Sequence, residues 1–174
     1  LDDFIQNIDN STTINGRPIY YWVNEHDKTV PSNAGYIALV NSSNIIVQGS
    51  LLNGNGQGVL VAYTNDSFIE SVKAGHNIHG IQLWRAHNIT IRNSDFSNND
   101  CNVEMDNSTA NALSDNDISE GWEGIRLPYS SYNNFTGNNI TSCNSGILLP
   151  FGGSSRNNTF YHNNMNNTYQ LPNG

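Results

Sequence analysis

The chain has 174 residues, of which 36% are hydrophobic and 13% are charged, and its formal net charge is −8. Its 7 Lys and Arg residues are too few to form a clustered basic face, so we expect no nucleic-acid partner. No stretch approaches the roughly 18 apolar residues that a membrane helix needs, so we expect no membrane span. These features leave an acidic domain with a mostly neutral polar surface.

Residues 1–34 precede the regular part of the sequence. They contain an aromatic run, Ile19 to Val23, between Asn-Gly and Val-Pro turn signals, and this pattern predicts a strand pair. We expect this segment to cap the open N-terminal end of the fold, because an exposed terminal coil is prone to associate with other chains. The sequence therefore divides into a capping segment, residues 1–34, and a repeat region, residues 35–174.

A repeat with a step of 22 residues runs through the second region. The stretch GIQLWRAHNITI, residues 80–91, recurs as GIRLPYSSYNNF, residues 124–135. In the last copy the pattern resumes at Phe160 and Met165 after a small insertion. The apolar residues align in four columns, namely Ile37, Val59, Ile81, Val103, Ile125, Ile147; Leu39, Val61, Leu83, Met105, Leu127, Leu149; Val47, Ile69, Ile91, Leu113, Phe135; and Leu52, Ala74, Phe96, Ile118, Ile140.

The period of two inside each copy predicts short strands, and the Asn, Gly and Ser residues between them suit tight corners. One coil cannot bury its apolar side alone, whereas coils stacked about 4.8 Å apart as parallel strands enclose all four columns in one core. The pattern predicts an all-β fold, a parallel β-helix (solenoid) of about six 22-residue rungs. The spacing of a leucine-rich repeat is missing, and a β-propeller needs roughly double the period.

The segments TTINGRPIYYW, VPSNAGYIALVNSSNIIVQG, GIRLPYSSYNNFTGNNI and NNTFYHNNMNNT resemble the NosD-type, or CASH (carbohydrate-binding and sugar-hydrolase), β-helix proteins. The resemblance covers nearly the whole chain and implies a right-handed helix, in agreement with the general preference of parallel crossovers. Members of this group include sugar-processing enzymes, a periplasmic protein linked to copper-site maturation and archaeal surface proteins without assigned chemistry. The resemblance therefore implies the fold and leaves the function open.

Polar residues occupy outward positions of the first strand in the middle rungs. Glu104 and Asp106 lie two residues apart on one strand and hence on the same face, with Arg126 one rung further. Two carboxylates suit glycoside cleavage, and a base beside a cation suits lyase or epimerase chemistry on a uronate. The alternative is an exposed ladder in which Glu104 and Arg126 merely pair across rungs. The candidates for contact with a carbohydrate are Gln82, Trp84 and Tyr129.

Histidines also gather around one rung, at His76, His79 and His87. A His-x-x-His spacing at a corner is a weak metal signal without further ligands, and the chain has only 2 Met residues to serve a copper carrier. We therefore predict no metal site and no cofactor.

The two cysteines, Cys101 and Cys143, are 42 residues apart, which is almost two rungs. Two rungs span about 10 Å, beyond the roughly 7 Å between Cα atoms that a disulfide allows. We expect no bond between them within one chain. They are either buried free thiols or candidates for inter-chain disulfides.

Asn-x-Ser/Thr triplets are frequent, and in an exported protein they accept N-glycans. Low charge with abundant Asn and Thr is typical of a cell surface. We predict a noncatalytic extracellular protein of a cell envelope, surface layer or sheath that self-associates into a homo-oligomer or polymer. The alternative is a polysaccharide-binding or polysaccharide-processing domain that uses the outward face around Glu104. The glycosylation candidates are Asn10, Asn41, Asn65, Asn88, Asn107, Asn134, Asn139, Asn157 and Asn166.

Overall fold

A computed structural model describes residues 1–150 and 154–171 of the chain. The predicted repeat region, residues 35–174, thus includes residues 151–153 and 172–174, which lie outside the described residues. A short 3-10 helix, Asp2–Phe4, precedes the strands. The strands are β1 (Thr13–Ile14), β2 (Arg17–Val23), β3 (His26–Val30), β4 (Tyr36–Val40), β5 (Ser43–Gln48), β6 (Gln57–Ala62), β7 (Phe68–Glu70), β8 (His79–Trp84), β9 (Thr90–Arg92), β10 (Cys101–Asp106), β11 (Ala112–Ser114), β12 (Asp117–Ser119), β13 (Glu123–Arg126), β14 (Asn134–Thr136), β15 (Asn139–Thr141), β16 (Ser145–Leu148), β17 (Thr159–Tyr161) and β18 (Asn164–Asn166).

Parallel pairing between successive coils builds two long sheets and a short third one. The first sheet has the order β1-β2-β4-β6-β8-β10-β13-β16, the second β17-β14-β11-β9-β7-β5-β3, and the third β12-β15-β18. Parallel bridges that join Leu51 to Lys73, Lys73 to Asp95 and Asp95 to Asp117 extend the third side along earlier coils. The chain is a parallel β-helix, as its repeat predicted. In the part of the chain that the structure describes, no helix is long and apolar enough to cross a membrane.

The strand register confirms the predicted repeat. On the first sheet Ile37 lies opposite Val59, and Val59 lies opposite Ile81. The step between most coils is 22 residues, and it lengthens to 25 residues at the last coil. There Phe135 lies opposite Phe160 on the second sheet, so the insertion falls between β16 and β17.

One continuous core follows the axis and contains the predicted inward columns. Phe96 and Phe135 are the largest fully buried side chains, and the ring of Phe135 stacks on that of Phe160 with centroids 4.5 Å apart. The assignment of Leu149 to an inward column was wrong, because this residue is 43% exposed. It lies just beyond the end of β16, where the insertion takes the chain out of the regular coil.

The N-terminal segment contributes a coil of its own. β2 pairs in parallel with β4, and β3 pairs in parallel with β5. β1 forms an antiparallel pair with β2 across Asn15 and Gly16, whose φ angles of 53° and 75° suit a hairpin turn. The structure thus places a strand pair within residues 1–34 and extends both long sheets into that segment.

Asparagine side chains at the corners link each coil to its neighbours from inside. The side-chain oxygen of Asn116 accepts a hydrogen bond from the backbone N–H of Ser94 at 3.0 Å. Its side-chain nitrogen donates to the backbone carbonyl of Ile91 at 3.1 Å and to Asn138 at 2.9 Å. Asn138 makes the same contacts one coil later, with Asn163. These amides satisfy buried backbone groups at corners, where the strand ladder stops.

We expect the substitution Asn116→Ala to lower the free energy of unfolding by about 1–3 kcal/mol, since it leaves a buried N–H and a buried carbonyl unpaired. Urea denaturation measures the change. The control is Asn134→Ala, because Asn134 is exposed and its side chain accepts a hydrogen bond from the neighbouring Thr136. An exposed substitution of this kind changes stability by less than about 0.5 kcal/mol. Equal losses in both variants would contradict a stabilising role of the corner amides.

Candidate functional site

The outward face of the first sheet carries a cluster of polar side chains in its middle coils. Gln82 on β8 lies opposite Glu104 on β10, and Glu104 lies opposite Arg126 on β13. His79 and Glu123 stand at the starts of β8 and β13. Because neighbouring strands lie about 4.8 Å apart, side chains from three coils meet. We call the side chains of His79, Gln82, Glu104, Glu123 and Arg126 the polar patch.

Glu104 is the centre of the polar patch and is only 8% exposed. Its carboxylate accepts a hydrogen bond from the side-chain nitrogen of Gln82 at 2.7 Å, and the Nε2 atom of His79 lies 3.1 Å away. Burial alone raises the pKa of Glu104, but His79, Gln82 and the charge of Arg126 outweigh it, so the pKa lies below its ordinary value. Glu104 is therefore an ionised carboxylate at neutral pH.

Arg126 keeps hydrogen-bonding capacity toward a ligand. Its Nε atom lies 3.8 Å from Glu104, and its Nη1 atom lies 3.8 Å from Glu123. Both distances are too long for a direct hydrogen bond. The side chain as a whole is 40% exposed, whereas its Nε atom is buried and has no hydrogen-bond partner among the described residues. The buried Nδ1 atom of His79 also has no hydrogen-bond partner among the described residues. Buried polar atoms are nearly always paired in proteins, and a functional role is one explanation for an exception.

Asp106 lies beside the polar patch on the same strand as Glu104, and its carboxyl group differs from that of Glu104 in its tendency to ionise. Burial raises the pKa of Asp106, a hydrogen bond from Asn107 at 2.6 Å works against the rise, and the charge of Glu104 adds to it. The net direction is upward, whereas the pKa of Glu104 is lowered. Two neighbouring carboxyl groups with opposite shifts are a known arrangement for acid–base chemistry.

The N-terminal segment covers the outward face beside the polar patch. Phe4 packs against Trp84 and Tyr63, with ring centroids 6.0 Å and 5.9 Å apart, and its carbonyl accepts a hydrogen bond from Tyr21 at 2.7 Å. Trp84, a predicted carbohydrate contact, is therefore partly buried against Phe4. The sequence contains a sign that this face is covered, because the outward residues beneath Phe4 are apolar. They are Ala38, Val40, Leu60 and Ala62.

Two exposed aromatic side chains lie before and after β13 in the sequence. Tyr129, another predicted carbohydrate contact, is exposed at the corner after β13. Trp122 immediately precedes β13 and is 67% exposed. Neither Trp122 nor Glu123 was among the residues predicted from the sequence. The signal for Trp122 was a large aromatic residue at a corner position that carries Asp100 one coil earlier.

Both cysteines are buried free thiols, with Cys101 5% and Cys143 2% exposed. Cys143 lies among the corner amides, whereas Cys101 lies beside the polar patch, opposite His79 and Glu123. Burial raises the pKa of both thiols, which keeps them protonated and unreactive. An inter-chain disulfide at either residue requires the groups that cover the thiol to move aside. Their burial therefore argues against the inter-chain bond that we considered from the sequence.

The remaining predicted residues lie at corners and on the surface. His79 belongs to the polar patch, whereas His76 and His87 lie outside it and are exposed. Within residues 1–150 and 154–171, no three His, Cys, Asp or Glu side chains gather as a metal site. Among the glycosylation candidates Asn139 is partly buried, and the exposed ones are Asn10, Asn41, Asn65, Asn88, Asn107, Asn134, Asn157 and Asn166.

The fold and the polar patch define a parallel β-helix protein with one polar sheet face. The sequence matches the family described as periplasmic copper-binding protein (NosD) over residues 3–173, so the chain belongs to that family. No curated protein matches the sequence. A similar solved structure is the A-module of the Azotobacter vinelandii mannuronan C-5 epimerase AlgE4, with a TM-score of 0.69 and 15% identity. The match covers 84% of this chain and 52% of that one, and at this identity it shows the fold alone.

We expect the substitution Glu104→Gln to lower the free energy of unfolding at pH 7 by about 1–3 kcal/mol, because it removes hydrogen bonds to a charged group. The folded pKa of Glu104 is lowered, so its stabilising contribution is present above the unfolded pKa of about 4.3. This contribution is lost as the pH falls through the folded value, when Glu104 takes up a proton.

Urea denaturation at pH 7 and at pH 3 measures the difference between wild type and Glu104→Gln, which shrinks at pH 3. The control is Glu120→Gln, since Glu120 is exposed. A difference that stays constant with pH would show that Glu104 does not stabilise the fold through its charge.

Proposed function

We propose that this chain binds a polysaccharide across the outward face of its first sheet, outside the cytoplasm. The observation that carries the proposal is the ionised carboxylate of Glu104, which Gln82 and His79 hold in place. A fixed carboxylate accepts hydrogen bonds from sugar hydroxyl groups, and the terminal nitrogens of Arg126, whose side chain is 40% exposed, donate to them. Because the protein holds these groups before a ligand arrives, binding costs less conformational entropy.

The strand register gives the binding face a direction. Gln82, Glu104 and Arg126 occupy equivalent positions on three successive coils, so they form a row along the helix axis with a spacing of about 4.8 Å. A polymer that lies along the axis meets a hydrogen-bonding group at each of these three coils. The net charge of −8 disfavours a strongly anionic chain, so we infer a neutral polysaccharide.

The exposed rings of Trp122 and Tyr129 add apolar surface at the two ends of β13. The apolar face of a sugar ring packs against an aromatic ring, while its hydroxyl groups bond to polar side chains at the edge. The two aromatic residues are seven positions apart, so they are separated by at most about 25 Å. A polysaccharide with branches, or one that crosses the face obliquely, contacts the patch and one of these rings together.

The comparisons with known proteins agree with two parts of the proposal, the location outside the cytoplasm and the use of a β-helix to bind a polysaccharide. The family description refers to the periplasm, which agrees with a location outside the cytoplasm. The similar β-helix from Azotobacter vinelandii is by its title an epimerase of mannuronan, a polysaccharide. This chain spans about half the length of that module, at 52%. We therefore argue its activity from its own residues and not from those of the epimerase.

Copper, which the family description names, does not fit the residues of this chain. Cysteine and methionine are the ligands that Cu(I) prefers. Met105 is buried in the core, Cys143 is buried among corner amides, Cys101 is buried beside the polar patch, and Met165 is partly buried against the core. In the described ranges, no cluster of His, Cys, Asp or Glu offers an alternative set. We therefore assign no copper chemistry to this chain.

Self-association into an envelope, surface layer or sheath stays a prediction. The burial of Cys101 and Cys143 removes one of the features that favoured it. The exposed glycosylation candidates and the low charge agree equally well with a monomeric surface protein that binds a polysaccharide.

We expect Arg126→Ala to weaken binding of a neutral polysaccharide at least about tenfold, the change that one hydrogen bond to a charged group produces. Affinity gel electrophoresis against a panel of soluble neutral polysaccharides, followed by calorimetry, measures it. The matched control is Arg92→Ala on the second sheet, where Arg92 pairs with Glu70 at 2.8 Å. Equal affinities of wild type and Arg126→Ala, or an equal loss with Arg92→Ala, would remove the polar patch from the binding site.

A second candidate function is cleavage of the bound polysaccharide, and the opposite pKa shifts of Glu104 and Asp106 favour it. In glycoside cleavage a carboxylic acid with a raised pKa donates a proton to the leaving oxygen, while an ionised carboxylate stabilises the positive charge or attacks the sugar. Asp106 fits the first role and Glu104 fits the second. Both groups lie on the same outward sheet face, where Asp106 is partly exposed and Glu104 is 8% exposed.

If the chain cleaves a polysaccharide, Asp106→Asn lowers the rate at which new reducing ends form by a factor of about 100 or more, while the affinity is retained. The rate of the wild type falls at high pH as Asp106 loses its proton, and falls at low pH as Glu104 gains one. A wild type that binds the polysaccharide without forming reducing ends would restrict the function to binding.

A further inference from the structure

A separate cleft opens at the N-terminal end of the β-helix. It has a volume of about 360 Å³, and its walls come from β2, from β3 and from residues 8–10. This volume lies within the roughly 300–1,000 Å³ of most small-molecule sites. β2 and β10 are four strands apart in the first sheet, so the cleft lies about 19 Å along the axis from Glu104. The cleft and the polar patch therefore share no residues.

The aromatic wall of the cleft arises from its place at the end of the helix. Tyr20 lies opposite Ile37, and Trp22 lies opposite Leu39, so both rings occupy inward positions of their coil. In the following coils such positions are fully buried. Tyr20 and Trp22 are only partly buried, because the segment around Ile8 forms the far wall of a cleft instead of packing against them.

Contacts within the protein fix both rings before any ligand binds. The ring centroids of Tyr20 and Trp22 are 6.1 Å apart with planes at 81°, which is an edge-to-face arrangement. The hydroxyl group of Tyr20 donates to the side-chain oxygen of Asn33 at 3.2 Å. The ammonium group of Lys28 lies 5.6 Å from the centre of the Trp22 ring.

Polar groups stand around this aromatic wall. They come from Asp9, Asn10, Lys28 and Thr29. Asp9 is held by Ser11, whose backbone N–H donates to its Oδ1 atom at 3.0 Å and whose hydroxyl group donates to the same atom. The other carboxylate oxygen, Oδ2, keeps its capacity to accept a hydrogen bond. The cleft thus combines flat apolar surface with donors and acceptors of both charges.

We propose that this cleft binds one or two sugar residues of a neutral glycan. The apolar face of a pyranose ring packs on Trp22 and Tyr20, and its hydroxyl groups bond to Asp9, Asn10 and Thr29. Lys28 is paired with the carboxylate of Glu25 at 2.5 Å, so the cleft offers no unpaired cation to an anionic sugar, and we infer a neutral one. A molecule with one apolar face and a rim of hydroxyl groups matches the combination of rings and polar side chains.

Saturation-transfer NMR on the full chain, produced without glycans because Asn10 is a glycosylation candidate, tests the proposal. The probes are glucose, galactose, mannose, N-acetylglucosamine and their β-1,4-linked and α-1,4-linked disaccharides. We expect saturation of ring protons in at least one sugar. We expect at least tenfold weaker binding in Trp22→Leu, which keeps an apolar side chain, and in Asp9→Asn, a conservative change at an exposed turn. Circular dichroism verifies that both variants fold.

Two control variants lie outside both proposed sites. Tyr161→Leu removes an exposed aromatic ring on the second sheet, and Arg92→Ala removes a cation from the same sheet. We expect both to bind the sugar as the wild type does. In a separate comparison, binding that Arg126→Ala abolishes and Asp9→Asn leaves unchanged would assign the sugar to the polar patch and overturn the cleft proposal alone.

Two further outcomes overturn the proposal. One is the absence of saturation transfer to every sugar in the panel. The other is a dimer of the wild type in sedimentation velocity that Trp22→Leu dissociates, since the cleft is then covered by a second copy of the chain.

Discussion

The register of the coils, the packing of the core and the composition of the polar patch all depend on hydrogen bonds between successive coils. Parallel strands pair along three sides, and at the corners buried amides such as Asn116 and Asn138 continue the pairing where the ladders stop. Asn116, for example, accepts a hydrogen bond from a backbone N–H of the preceding coil and donates to a backbone carbonyl of that coil and to Asn138 of the next coil. A slip of one residue would leave buried donors and acceptors unpaired and turn the apolar columns outward. The corner amides and the core therefore specify one register between them.

That register also creates the polar patch. Gln82, Glu104 and Arg126 meet because they occupy one outward position on three consecutive coils. In earlier coils the same position holds Ala38 and Leu60, which are buried under the N-terminal segment. The segment around Phe4 thus divides the sheet face into a covered apolar part and an exposed polar part. The polar patch begins where the cover ends.

Membership of the NosD family accounts for the fold of this chain, but the ligand or reaction depends on the individual side chains. Cys101, Cys143 and Met105 are buried and Met165 is partly buried, whereas the polar patch offers an amide, a guanidinium and a largely buried carboxylate, and the rings of Trp122 and Tyr129 are exposed. We propose that these polar groups and rings bind a sugar. The row of polar residues around Glu104 follows the helix axis, and the cleft around Trp22 lies at the N-terminal end of the β-helix. The two proposed sites suit different parts of a glycan, an extended chain and a short terminal unit.

The sequence by itself determined the β-helix, its register and most of its core, because a repeat of 22 residues places every apolar column by simple counting. It also placed Glu104, Asp106 and Arg126 on one face, since alternation along a strand and stacking of coils are both local rules. Only the tertiary structure decided the burial of Cys101 and the packing of Trp84 on Phe4. These depend on non-repeating parts of the chain, whose path over the repeats no periodicity encodes.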